Sequence, residues 1–478
     1  MRSVDIGKME QKMKVDDSIF REYDIRGIVG ENLDEQFACQ LGQAFAIHLK
    51  KALGKENLTV SIGYDARLSS KDLFSALCYG FNTQSVKVID IGLVATPVAY
   101  FSLFNLDIDG GIMITASHNP PQYNGFKLSV GKNTIFGEEI QTIKEIMKQT
   151  KKLPIKEPEF VTYNIIKDYN EYIINQFKDL KTYTNKPKVV LDAGNGTGGF
   201  IAYPILKELG FEVIGLYIEP DGTFPNHHPD PTVEENLKEL KKTLREKSYD
   251  IGIGYDGDAD RIGVVLKNND TLYGDQLLLL FAQDILKEHK GAKIVGEVKC
   301  SQVLYDKISE FGGKAIMWKA GHSLIKAKMK EEKALLGGEM SGHIFFADRY
   351  FGYDDAIYVS LRLLEILTKE RINLEEWKNN LPKTFNTPEI RIDCPEDKKV
   401  LVTQEIENYY IKNKEKYSIT DIITIDGIRF NTKDGWGLVR SSNTQPALVL
   451  RFEANSTENL EKLKNDTLNL VNKTISSA

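Results

Sequence analysis

At 478 residues, with 41% hydrophobic and 27% charged side chains, the chain has core enough for roughly three or four globular domains. Its formal net charge of -6 disfavours non-specific nucleic-acid binding, which needs a basic surface, so any anion site must be a local grouping of Arg and Lys. Cys39, Cys78, Cys300 and Cys394 are scattered without a C-x-x-C pair, which argues for reduced thiols and against a disulfide framework or a zinc site.

The first residues, Met1 to Lys14, carry charges throughout and lack the apolar stretch of a signal peptide, and the most apolar run, Leu277 to Ala282, is too short to span a bilayer. The expectation is a cytoplasmic protein without a membrane partner. Phe20-Arg21-Glu22-Tyr23-Asp24-Ile25-Arg26-Gly27 is too polar for core and reads as a surface turn with an Arg–Asp pair. Phe37, Leu41, Ala44, Phe45 and Leu49 share one face of a helix over 35–53. A strand beginning at Thr59 and ending in a polar loop, a helix over 70–81 and a strand over 86–92 follow; this alternation predicts a mainly parallel sheet covered on both faces. Gly110 to Ile114 reads as a short buried strand that delivers Thr115-Ala116-Ser117-His118-Asn119-Pro120, where successive prolines stop the ladder. Ser117 thus sits on a stiff loop beside His118, with Lys127 shortly after. The loop reads either as a polar turn or as the seat of an activated serine, which needs a base, a metal or prior phosphorylation.

The pattern restarts at Lys188 with a buried strand running into Gly194-Asn195-Gly196-Thr197-Gly198-Gly199, a tight strand-to-helix turn or a loop whose N–H groups face a phosphate. After a strand over 249–254 comes Asp256-Gly257-Asp258-Ala259-Asp260-Arg261. Carboxylates at alternate positions of an extended loop converge on one hard cation, and three so close repel one another without it. Arg261 and Lys267 stand where an EF-hand needs glycine and glutamate, which excludes that site; few protein ligands with open positions suit Mg²⁺ shared with a phosphate oxygen. A third restart at Ala292 precedes Ala320-Gly321-His322 and Gly338-Glu339-Met340-Ser341-Gly342-His343, where Glu339, Ser341 and His343 alternate and would face one side in a loop or at a strand end. A proline-bearing linker over 381–388 leads to a smaller α+β domain. There 422–430 and 448–454 read as neighbouring antiparallel strands, Arg440 to Thr444 as a polar connection suited to a phosphate dianion, and 457–471 as a helix.

Together T-A-S-H-N-P, D-G-D-A-D-R, G-E-M-S-G-H and R-S-S-N-T, in this order, resemble the signatures of the α-D-phosphohexomutases, most closely the bacterial phosphomannomutase/phosphoglucomutase branch, from Phe20 to about Ala454. The resemblance implies an α/β fold of three related α/β domains with mixed sheets plus a smaller C-terminal α+β domain around a central cleft, divided here at 15–163, 164–268, 269–384 and 385–478. It implies that Ser117 is the phosphoserine and also a ligand, with Asp256, Asp258 and Asp260, of Mg²⁺. His118, Lys127, Arg26, Arg261 and His343 then stand in catalytic positions. Tyr23, Lys299, Gly321, His322, Glu339, Ser341 and His343, with Arg440, Ser442, Asn443 and Thr444 for the non-reacting phosphate, would bind substrate. The implied activity interconverts the 1- and 6-phosphates of mannose and glucose through a hexose 1,6-bisphosphate that turns end over end. A monomer or weak homo-oligomer is expected. Ala320 and Ala116 depart from the threonine and glycine common in the family. Met340 argues against phosphoglucosamine mutase, whose loop usually reads G-E-Q-S-G-H; a sugar-phosphate hydrolase is the other alternative.

Overall fold

The computed structural model describes residues 16–442 and 445–477. The described residues form two compact units, one comprising those up to Leu93 together with Ser102–Asn164, the other Val94–Phe101 together with those from Ile165 onward.

In the first unit a mixed sheet runs in the order Ile25–Ile28, Tyr123–Val130, Gly110–Ile114, Thr59–Tyr64, Lys87–Leu93, Val161–Thr162. Thr59–Tyr64 pairs parallel with both neighbours, whereas Tyr123–Val130 is antiparallel to both of its own. The helix Glu35–Leu53 forms where its face and its ends agree: the Asp34 side chain accepts from Phe37 N, and Gly54 stops it in the left-handed region at φ 62°. It packs on the helix Ser70–Asn82 so closely that a Cβ at Gly80 would lie 2.1 Å from the Cys39 carbonyl oxygen, so only glycine fits there.

The second unit contains three sheets among the described residues. The first runs Thr271–Leu272, Ile262–Leu266, Ile251–Tyr255, Val189–Asp192, Val213–Leu216; the next Lys314–Trp318, Lys293–Glu297, Leu336–Gly338, Ile344–Phe346. In both, parallel central strands continue into antiparallel strands at one edge, two of them in the first sheet and one in the next. The last sheet is antiparallel: Phe385–Asn386, Ala447–Ala454, Gly435–Ser441, Ile428–Thr432, Ile419–Ile423, with Thr457–Ser477 packed on it. Two expectations are corrected here. The run 422–430 is not one strand, because Asp426-Gly427 turns the chain between Ile419–Ile423 and Ile428–Thr432, with Gly427 at φ 73°. Nor does that run border Ala447–Ala454, since Gly435–Ser441, which carries Arg440, lies between them. No described helix is long and apolar enough to cross a membrane.

Candidate functional site

The candidate residues fall in both units, and each group is built locally. In the first unit Ser117 lies just beyond the fully buried strand Gly110–Ile114, itself buried, at φ 49°. A side chain there is unusual and must be held by its surroundings. Arg67 holds it. Its guanidinium, 2% exposed, donates to the carbonyl oxygens of Ser117 (2.9 Å), Asn119 (2.6 Å), Pro120 (2.6 Å) and Tyr123 (2.9 Å). Asp65 anchors Arg67 at 3.0 Å and accepts from Ser70 Oγ. Ser117 N donates to Thr115 Oγ1, and Ser117 Oγ lies 3.2 Å from His118 Nδ1. Arg26, ion-paired with Asp24, donates to Asn119 Oδ1 at 2.8 Å, which ties the polar stretch before Gly27 to the serine loop. Lys127 is buried opposite Met113, and Tyr23 is half-buried in the bend before the strand Ile25–Ile28.

In the second unit Asp256, Asp258 and Asp260 are buried, and one carboxylate oxygen from each lies within 4.8 Å of the other two. The convergence does not come from an extended loop. The chain turns, with Ala259 at φ 57°, and Asp256 Oδ1 accepts from the N–H groups of Asp260 and Arg261, both at 3.1 Å. Outside braces fix the turn: Thr96 N bonds the Asp258 carbonyl, Thr96 Oγ1 bonds Asp258 Oδ2, and Thr197 N bonds the Gly257 carbonyl. The glycine-rich loop at 194–199 therefore serves close approach. A Cβ at Gly196 would lie 2.5 Å from the Gly257 carbonyl oxygen, so the loop supports the aspartate turn from beneath. Three buried carboxylates so placed suit a hard metal ion that takes oxygen donors.

Arg261 follows directly. Burial works against its charge, but Asp230, Asp256, Asp260 and Glu339 more than offset this and raise its pKa. Its Nε donates to His343 Nε2 at 2.9 Å, so the His343 proton sits on Nδ1, 3.1 Å from Asp354 Oδ2. Asp354 is fully buried; despite that burial, Lys326, His343 and His322 hold its pKa well below the usual carboxylate range. His322 stacks on His343 at 5.3 Å.

Glu339, Ser341 and His343 do not face one side through alternation. They occupy a turn closed by Glu339 N to the His343 carbonyl, with Gly342 at φ 89°. Glu339 turns to the Gly321 N–H (2.7 Å), His343 turns to Arg261, and Ser341 is half-buried between them in sequence. Beneath the turn, Glu297, 0% exposed, accepts from Met340 N at 3.2 Å and lies 3.5 Å from Lys299 Nζ; Lys299 also reaches Glu389 at 3.3 Å. Burial, reinforced by Glu339, pushes the Glu297 carboxyl up to about 7 against the pull of Lys299 and Arg440. Arg440, buried at the end of the strand Gly435–Ser441, pairs with Asp426 at 2.9 Å, and Ser442 is buried beside it. Asn443 and Thr444 lie outside the described residues. Arg67, Glu297, Asp354 and Asp426 escaped the sequence reading; only the D-x-R spacing of Asp65 and Arg67 hinted at a local pair.

Descriptions of four phosphoglucomutase/phosphomannomutase domains match this chain in sequence order: α/β/α domain I over 17–154, domain II over 167–269, domain III over 273–385 and the C-terminal domain over 389–470. The chain is 44% identical over 448 residues to a phosphomannomutase/phosphoglucomutase of Pseudomonas syringae, covering 94% of each. It is also 44% identical over 449 residues to a phosphoglucomutase of Neisseria meningitidis, covering 94% of this chain and 95% of that one. The crystal structure of a phosphoglucomutase/phosphomannomutase family protein from Burkholderia thailandensis superposes with a TM-score of 0.87 at 38% identity, over 96% of this chain and 98% of that one.

Proposed function

Because this chain belongs to the phosphoglucomutase/phosphomannomutase family, we propose that it is a phosphohexomutase acting on glucose and mannose phosphates. The observation that carries this reading is the Ser117 loop. A buried serine in the left-handed region, its backbone clamped by Arg67 and its neighbour Asn119 held by Arg26, is preorganised for one reaction rather than left as an exposed turn. In the proposed reaction Ser117 Oγ carries a phosphoryl group. The free hydroxyl of a hexose phosphate attacks phosphorus, the bond to Oγ breaks, and the product is a hexose 1,6-bisphosphate. The bisphosphate reverses in place and returns its other phosphoryl group to Oγ.

Such a transfer asks the protein mainly for position and charge stabilisation. Asp256, Asp258 and Asp260 would hold Mg²⁺, which when bound offsets charge on the transferring phosphoryl group. Arg261 adds a fixed positive charge, and Lys127 and Arg26 are the proposed proton carriers. Although His343 was also a candidate, its Nε2 is already occupied by Arg261, so its proposed role is to aim that guanidinium. Glu339 and Ser341 grip sugar hydroxyls, while Arg440 and Ser442 hold the phosphate that does not react.

Purified protein given glucose 1-phosphate, mannose 1-phosphate and glucosamine 1-phosphate tests this directly. The expected result is movement of phosphate on the first two sugars, phosphate mapped to Ser117, and loss of turnover in Ser117→Ala. Release of free phosphate would show a hydrolase, and preference for the amino sugar would show the phosphoglucosamine enzyme. If the C2 hydroxyl is unread, kcat/KM for glucose and mannose 1-phosphate should agree within roughly a hundredfold, far short of the roughly 10⁴ that direct hydroxyl readout delivers.

A further inference from the structure

The turn between Ile419–Ile423 and Ile428–Thr432 lies flat on the strand that carries Arg440. A Cβ at Gly427 would stand 2.3 Å from the Val439 carbonyl oxygen and 2.7 Å from Arg440 Cα, so only glycine at φ 73° allows the approach. Ile425 packs on the cluster of Val298, Trp436 and Leu438. Arg429, fully buried and stacked 3.8 Å from the Trp436 ring, donates to the carbonyls of Val298 and Cys300. The hairpin is thereby pinned to the segment bearing Lys299, and Asp426 has little freedom at its tip.

From there Asp426 Oδ2 accepts two bonds at once, from Arg440 Nε at 2.9 Å and from Ala320 N at 3.0 Å. The next N–H along, that of Gly321, is the one that Glu339 takes at 2.7 Å. One carboxylate oxygen therefore joins the proposed phosphate holder to the backbone that orients the proposed sugar-gripping glutamate. Because both donors use one charged oxygen, a shift of either one strains the bond to the other.

Building on the proposed function, we infer that Asp426 is a positioning residue that sets the spacing between the phosphate site at Arg440 and the hydroxyl site at Gly321 and Glu339. A hexose phosphate is then read as one rigid span, and the two ends of the ligand are bound cooperatively. Asp426 touches no reacting atom.

The test is a double-mutant cycle of Asp426→Ala with Glu339→Ala in full-length Ser117→Ala protein, which cannot turn over, reading the Kd for glucose 1-phosphate by calorimetry with Mg²⁺ present. Asp426→Ala is expected to weaken binding about 10- to 100-fold, the span of a hydrogen bond to a charged group. The double variant should lose at least about threefold less than the product of the single losses, because both act on one network. Strict multiplication of the two losses, or an unchanged Kd in folded Asp426→Ala, overturns the inference. If Asp426→Ala does not fold, Asp426→Asn, which keeps an oxygen acceptor but not the charge, replaces it in the cycle. Its smaller loss is expected to stay non-multiplicative with that of Glu339→Ala, and multiplication again overturns the inference. Wild-type protein that binds glucose 1-phosphate but moves no phosphate would sink the functional reading alone; protein that neither binds nor turns over would sink both.

Discussion

The serine loop and the aspartate loop solve opposite problems. Each contains a non-glycine residue in the left-handed region, Ser117 at φ 49° and Ala259 at φ 57°, at the end of a fully buried strand. The serine loop carries no charge of its own to balance; its difficulty is conformational, and it is held from outside by Arg67, a residue fifty positions earlier that collects four carbonyls. The aspartate loop largely holds its own backbone, since Asp256 accepts from Asp260 and Arg261 N–H groups, but it concentrates three buried negative charges. One loop depends on a distant side chain and the other on a cation.

The largest expected effect follows from the charge. Chelation should abolish turnover and added Mg²⁺ restore it, and Asp256→Asn should lower kcat roughly 10³-fold or more, several kcal/mol of barrier. The same substitution should raise the melting temperature of chelator-treated protein, because one of three mutually repelling carboxylates is gone. Undiminished turnover in excess chelator, or a lower melting temperature in that comparison, would break the contrast at its charged end.

At the conformational end, Arg67→Lys keeps the charge but loses the forked donors. The expected outcome is a fall in kcat of about 10²-fold with KM nearly kept, since a small misplacement of a reacting group costs that much. Arg67→Ala, which removes one partner of the buried pair with Asp65, should cost about 3–5 kcal/mol in denaturant unfolding, with or without chelator. A kcat close to wild type would mean the serine loop keeps its shape unaided.

The smallest effect separates a third kind of burial, that of Glu297 beneath the turn holding Glu339. Its folded pKa is raised from 4.5 to about 7, burial being the main cause. The native state therefore binds more protons than the unfolded chain between those values, and this group makes stability fall as pH rises through that window. Glu297→Gln should flatten that part of the stability–pH curve measured by urea unfolding. A curve unchanged from wild type between pH 4.5 and about 7 would rule out a raised pKa at Glu297.

Much of this was legible from local chemistry. The helix Glu35–Leu53 could be read because an apolar face, an aspartate cap and a terminal glycine agree within one segment. The strand Gly110–Ile114 and the aspartate motif could be read for the same reason: what defines them lies within a few residues. The hairpin at Asp426-Gly427 was hidden because β-branched residues on both sides imitate one continuous strand, and only the left-handed glycine breaks it. The alternation of Glu339, Ser341 and His343 misled because a turn, not a pleat, sets their directions.

Tertiary structure alone decided which unremarked residues do the holding. Arg67 meets carbonyls at 117–123, Asp426 meets Ala320 N across 106 positions, and Asp354 gathers His322, Lys326 and His343. A charged side chain is equally at home on a solvated face, and nothing local tells the two apart. Burial is what makes such a residue a clamp, because a buried charge must find partners and an exposed one need not. Element types and the metal-loving motif were therefore determined by sequence close at hand, whereas the positions of the candidate site residues were settled only when folding removed distant polar groups from water together.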